Sequence, residues 1–318
     1  MFKLVRKIGL LGAFLVAGFG LSGTASAIPI TIGDVLASIG NGKVNVYTQD
    51  GTLKQTLDTG LGGFTTGGTF DSAGNFYVTA FSSNRVSKFD SNGNLVDALW
   101  ATGNSRNESI VFDGSGNAYI GNAGAFKIKK VDSTGAQIVD FTTQLGTDWI
   151  DLKADQKTLL YSNEGSTIRE LNTETLVDTV FTSDSSYGTL YAKRYLSDGG
   201  VIAASGTGNV FRWNASGVLQ HTYSIGIGSV FALNLDSNGT SFWTGTTGGT
   251  AIRKINIATG VIEQSWNTTG QLFGLTVAGE IQAGGGGFDG GNSVPEPGTT
   301  GLLLLGLAGL SMARRRRA

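Results

Sequence analysis

Few residues of this chain could do chemistry, and their types restrict what that chemistry is. Cysteine is absent, which removes thiolate catalysis, and His221, the single histidine, falls on an outermost strand far from a central channel, which removes Ser-His-Asp hydrolysis and histidine-zinc sites. The residues that remain are carboxylates with oxygen-rich or aromatic neighbours: Asn107 and Glu108, Asp148 and Trp149, and the basic pair Lys193 and Arg194. Glu108, Asn107 and Asp148 offer hard oxygen donors of the kind Ca²⁺ takes. Alternatively, Glu108 and Asp148 pair with Arg106, Lys193 or Arg194. These six residues, Asn107, Glu108, Asp148, Trp149, Lys193 and Arg194, form the candidate ligand-binding set; no catalytic residue is assigned, and Ca²⁺ is the one cofactor they could take. Phe81, Phe126, Trp149, Tyr187, Tyr191 and Trp243 lie among Asn, Ser, Thr and Gly, a setting that suits sugar rings, whose C–H faces stack and whose hydroxyls hydrogen-bond. No phosphate loop or nucleotide fingerprint is present. The Asp71–Asn75 and Asp113–Asn117 stretches read as hairpin turns rather than calcium loops.

The elements that position these residues are short strands. Fifty glycines against three prolines, with abundant Asn, Asp, Ser and Thr, indicate many tight turns, because Gly, Asn and Asp supply the positive φ that hairpins need. One unit, an apolar residue, two positions, a second apolar residue and then a turn, recurs six times. Its anchors Tyr47, Phe89, Val131, Leu171, Trp213 and Ile255 fall 42, 42, 40, 42 and 42 residues apart. A second strand-turn-strand unit precedes it, clearest at Phe70-Asp71 with Gly74 to Val78. Each period therefore holds four strands, the content of one propeller blade. The reading is all-β: a six-bladed β-propeller of four-stranded blades over residues 28–282.

The ends of the repeat predict how the ring closes. The first copy has room for only three strands, near Asp34 to Ile39, Lys43 to Tyr47 and Thr52 to Leu57. Leu272 to Ile281 matches the missing inner strand, so a C-terminal strand joins the N-terminal blade and removes an exposed edge. In this scheme His221 falls on an outermost strand, Val218 to Tyr223, far from a central channel. The candidate residues fall where chain segments lead into inner strands.

Both termini read as targeting segments. Lys3, Arg6 and Lys7, an apolar stretch from Ile8 to Leu21, and Ala25-Ser26-Ala27 have the order of a secretory signal peptide cleaved after Ala27, making residues 1–27 a signal helix. Residues 283–293 are a Gly-rich linker, expected to act as a flexible tether. Residues 294–318 hold Val294-Pro295-Glu296-Pro297, an apolar run to Met312, and Arg314, Arg315, Arg316 and Arg317. The prolines give an extended strip open to a protease. The apolar run is a short transmembrane helix, and the arginines stop it on the cytoplasmic side. Between the tags, residues 28–293 carry 16 basic and 23 acidic residues, net −7, which argues against nucleic acid as a partner.

The C-terminal order of Pro-Glu-Pro, Leu/Gly-rich helix and Arg cluster resembles the PEP-CTERM sorting signal. That resemblance implies export, recognition by an exosortase and cleavage near Pro295 to Pro297, with signal peptidase acting at the other end. It implies transient anchoring in the inner membrane, then a cell-surface or extracellular location. The phrase Asn84 to Asp90, followed by Ser91-Asn92-Gly93, looks like the NHL repeat, and the body is similar to NHL, YVTN and gluconolactonase-like propellers. The expected function is binding of a ligand, exopolysaccharide in a biofilm matrix, rather than catalysis. The alternatives are a metal-dependent lactonase or hydrolase of the gluconolactonase-like type and a protein-protein scaffold.

Overall fold

The computed structural model describes residues 28–282 together with Gly284 and Phe288. The signal helix, with Ala25 and Ala27, and the sorting segment, with Val294 to Pro297 and Arg314 to Arg317, lie outside the described residues. Among the described residues no helix is long and apolar enough to cross a membrane.

Twenty-four strands form six antiparallel four-stranded sheets. Blade 1 is ordered with strand Leu272–Val277 innermost, followed outward by Val35–Ile39, Lys43–Tyr47 and Leu53–Asp58. Its closing pair is in register from Val35 opposite Val277 to Ser38 opposite Gly274. Blades 2 to 6 follow in chain order, with innermost strands Thr65–Phe70, Asn107–Phe112, Trp149–Leu152, Leu190–Tyr195 and Val230–Leu235. The closing strand is shorter than the sequence suggests. It stops at Val277, and Gly279, at φ +78°, turns the chain out of the sheet.

Burial follows from the radial stacking. The second strand of a blade is covered on both faces, so Phe76–Ala80 and Thr158–Ser162 are buried at every position. The outermost strand faces a neighbouring blade on one side only, and in Leu219–Ser224 just Tyr223 is buried. The apolar side chains gather into six clusters, one at each blade interface; between blades 2 and 3, for example, Tyr77, Val86 and Trp100 meet Ile110, Phe112 and Val131. All six repeat anchors are buried on third strands. Their period is thus the period of interface packing.

Near the axis the inner strands converge until only glycine fits. A Cβ on Gly67 would stand 2.5 Å from the Glu108 carbonyl oxygen, and one on Gly274 would overlap that of Thr66. The Asp71 and Asp113 stretches are hairpin turns, as read from the sequence. In each, the Asp Oδ1 accepts backbone N–H bonds from two and four residues on, at 2.9–3.0 Å, which is how Asp stabilises a tight turn.

Candidate functional site at the upper mouth of the channel

All six inner strands run in the same direction along the axis, so the channel has an upper mouth, where they begin, and a lower mouth, where they end. At the upper end five of the six carry a β-bulge. Thr66-Gly67, Glu108-Ser109 and Tyr191-Ala192 each face one residue of the partner strand, and Phe231 and Phe273 are single extra residues. Bulges re-aim side chains and interrupt pairing. Blade 4 has no such bulge; its inner strand begins at Trp149, with Asp148 just before it. Counted from the last residue of each inner strand, Thr66, Glu108, Asp148, Tyr191, Phe231 and Phe273 stand at one level. The ring recurs at the blade period, at intervals of 42, 40, 43, 40 and 42 residues, but its residue types differ from blade to blade, so no motif marks it.

One position further in, the other strands hold Gly67, Ser109, Ala192, Ala232 and Gly274, whereas blade 4 holds Trp149. The indole reaches past blade 5 and meets Phe231 of blade 6 edge-on, ring centroids 5.2 Å apart at 82°. Tyr191 packs on the same Phe231 at 4.8 Å. Trp149 is 4% exposed, and its Nε1–H has no acceptor among the described residues. Tyr191 is half-buried.

Beside this aromatic trio lie the carboxylates. Glu108 is 5% exposed and, among the described residues, makes neither a side-chain hydrogen bond nor an ion pair. Burial, reinforced by Asp148 and Glu164, drives its carboxyl well above the usual range, against the opposing pull of Lys193 and Arg106. Asp148 is pushed up to about 6 by burial and then by Glu164, and Lys193 works against the shift. Burial also raises Glu164, which sits in a turn of blade 4 at φ +57°. Lys193 is fully buried; its Nζ donates to the Ser162 hydroxyl at 2.5 Å and to the Trp149 carbonyl at 3.4 Å. Loss of solvation brings it down to about 7 despite Asp148.

The structure thus brings Glu108, Asp148, Trp149 and Lys193 together and adds Glu164, Tyr191 and Phe231. Asn107 adjoins the group opposite Asn122, its buried Oδ1 without a partner. Arg194 belongs elsewhere. Sequence spacing puts Lys193 and Arg194 on a segment leading into the blade 5 strand, but register sets Tyr195 level with Phe112 and Leu152 at the far end. Lys193 reaches back up from mid-strand, whereas Arg194 stands at the lower mouth. Neither Glu108 nor Asp148 forms a salt bridge with Arg106, Lys193 or Arg194 among the described residues. Among those residues, too, no three His, Cys, Asp or Glu side chains lie close enough together to hold a metal ion.

Of the other aromatics, Tyr187 packs against Phe211 and Trp213, and Trp243 is fully buried with its Nε1–H bonded to Asp236 at 2.6 Å. His221 lies on the outermost strand of blade 5, its ring 4.2 Å from that of Tyr223.

The lower mouth is spanned by the chain that leaves the closing strand. Glu280 Oε1 accepts from Arg194 Nε of blade 5 at 2.6 Å and from the Leu235 N–H of blade 6 at 3.1 Å. Gln282 donates to Thr69 of blade 2 at 2.7 Å, and the Gln156 side chain of blade 4 donates to the Gly284 carbonyl. Phe288 packs on Phe70 of blade 2. Asp151, also at this level, accepts from the Tyr195 N–H at 2.6 Å. The neutral Asn234 and Thr276 side chains of the same ring have no partner among the described residues. Sequence reading extended the inner strand to Ile281 and so missed this strap; Gly279 was the available signal.

Comparison with known proteins agrees with both halves of this description. Residues 293–317 match the PEP-CTERM protein-sorting motif. The fold is similar to that in a solved nidogen/laminin complex, with a TM-score of 0.64 and 14% identity over 77% of this chain and 98% of that one. It is also similar to virginiamycin B lyase from Staphylococcus aureus, with a TM-score of 0.51 and 14% identity over 64% of this chain and 70% of that one. No curated protein matches the sequence. The motif implies export and exosortase processing to a cell-surface or extracellular destination. The chain is a six-bladed β-propeller that carries a PEP-CTERM sorting motif.

Proposed function

We propose that this protein is a non-enzymatic binding protein of the cell surface or extracellular matrix whose propeller takes up exopolysaccharide at the upper mouth. In this reading signal peptidase removes residues 1–27, and the apolar run before Arg314 to Arg317 anchors the chain transiently in the inner membrane until it is cut near Pro295 to Pro297. The observation that carries the binding reading is the ring at the bulges. It sets a stack of Trp149, Phe231 and Tyr191 beside carboxylates that the protein leaves unpaired. Aromatic faces accept the C–H side of a sugar, and hydrogen-bonding groups around them accept its hydroxyls.

The test is calorimetric titration of the purified protein with exopolysaccharide from its own host. Saturable binding that weakens at least roughly tenfold in Tyr191→Ala, an equivalent of about 1.4 kcal/mol, supports the reading. Absence of binding, or binding that this substitution leaves alone, removes it.

A further inference from the structure

Three carboxylates at the upper mouth face few cations. Glu108, Asp148 and Glu164 act on one another, and the positive groups near them are Lys193 and Arg106. Lys193 directs its ammonium to Ser162 and the Trp149 carbonyl, and Arg106 is exposed. A carboxylate as buried as that of Glu108, without a hydrogen-bond donor, is costly to keep. At the lower mouth Glu280 Oε1 has both a guanidinium and a backbone N–H, while its buried Oε2 has no partner among the described residues. Independently of the carboxylates, the buried Trp149 Nε1–H lacks an acceptor, and its ring belongs to the aromatic stack. Two kinds of group are thus unmet among the described residues, the carboxylates and the indole N–H.

One chemical class meets both. We infer that the upper mouth recognises a sugar bearing a protonated amine, a de-N-acetylated hexosamine unit, with Glu108 and Asp148 accepting from the ammonium and Trp149 donating to a ring or hydroxyl oxygen. The inference rests on the reading of this mouth as a glycan site and specifies its ligand.

The experiment uses the purified protein near neutral pH with two probes of equal length: a chitosan oligosaccharide, whose units carry free amines, and the corresponding chitin oligosaccharide, whose units carry acetamides. Chitosan is expected to bind roughly 10- to 100-fold more tightly, the range of one charge-assisted hydrogen bond, and to weaken as salt is raised. Glu108→Gln, which keeps shape and removes charge, should erase most of that preference, weakening chitosan far more than chitin; its thermal melt checks the fold. Trp149→Phe should weaken both probes alike.

Equal binding of the two probes, or a preference that survives Glu108→Gln, overturns the amine inference and leaves the glycan reading standing. So does binding of the host polysaccharide with neither probe. If probes and host polysaccharide all fail, both readings fall.

Discussion

The two mouths of the channel are built from the same strands and contain the same kinds of residue, yet they treat charge in opposite ways. At the lower mouth Glu280 bridges Arg194 and the Leu235 N–H, and Asp151 takes the Tyr195 N–H. At the upper mouth Glu108, equally buried, has no such partner among the described residues, and Lys193 turns to a hydroxyl and a carbonyl. Buried charge without a partner destabilises a fold. An acid that no partner meets marks a candidate functional site, whereas one bridged to Arg194 is part of the framework.

The sharpest way to break this comparison is to truncate one acid at each mouth. Glu280→Ala should destabilise the protein by about 3–5 kcal/mol, the usual result of stranding a buried guanidinium, whereas Glu108→Gln should leave stability unchanged or raise it. Urea unfolding of the two variants measures both. Equal losses would mean that Glu108 has structural partners after all.

A smaller effect comes from pH. Asp148 is held at about 6 against an ordinary 3.8, so the folded state keeps a proton that the unfolded state has released. Through this group stability is fully present below pH 4 and falls as pH rises to 6, by up to roughly 3 kcal/mol. Lys193, brought down to about 7 from 10.5, has the opposite sign: its burden is fully present below pH 7 and is relieved as pH climbs toward 10.5. The native chain should therefore lose stability relative to Asp148→Asn between pH 4 and 6, as followed by the urea midpoint. Parallel curves for the two proteins would remove Asp148 from the unpaired group.

The smallest effect belongs to the lower-face turns. Asp71 organises its hairpin by accepting from the Ala73 and Asn75 N–H groups, so Asp71→Ala should cost about 1–2 kcal/mol and leave glycan affinity unchanged. A change in affinity would show that acids on both faces report to one site.

Much of this molecule is legible in its sequence, for a physical reason. Each repeat anchor packs at a blade interface, so Tyr47, Phe89, Val131, Leu171, Trp213 and Ile255 recur at the blade period. The spacing of Val277 from Leu235 identifies the closing strand, and the same period places His221 on an outer edge. The site was less legible. Glu108, Asp148 and Trp149 could be singled out as acids and an aromatic ahead of strands, but their association depends on bulges, which pair two residues against one without altering the period. Arg194 was drawn to the wrong end because Ala192-Lys193-Arg194 reads as a segment leading into the inner strand, whereas the strand is Leu190–Tyr195 and Arg194 is its second-last residue. Tyr191 stood out only as an aromatic near a strand end, Phe231 as nothing more than an apolar strand residue, and Glu164 owes its place to a turn.

The strap across the lower mouth also bears on when the protein becomes complete. The ring is joined by residues 272–277, and Phe288, the last described residue, still rests on blade 2. The sorting motif begins at residue 293. A chain that ends early enough to lack the closing strand therefore also lacks the address that would send it onward, and a cut beyond Phe288 removes no hydrogen bond described in the ring. Completion and dispatch are written in one stretch of sequence, in that order.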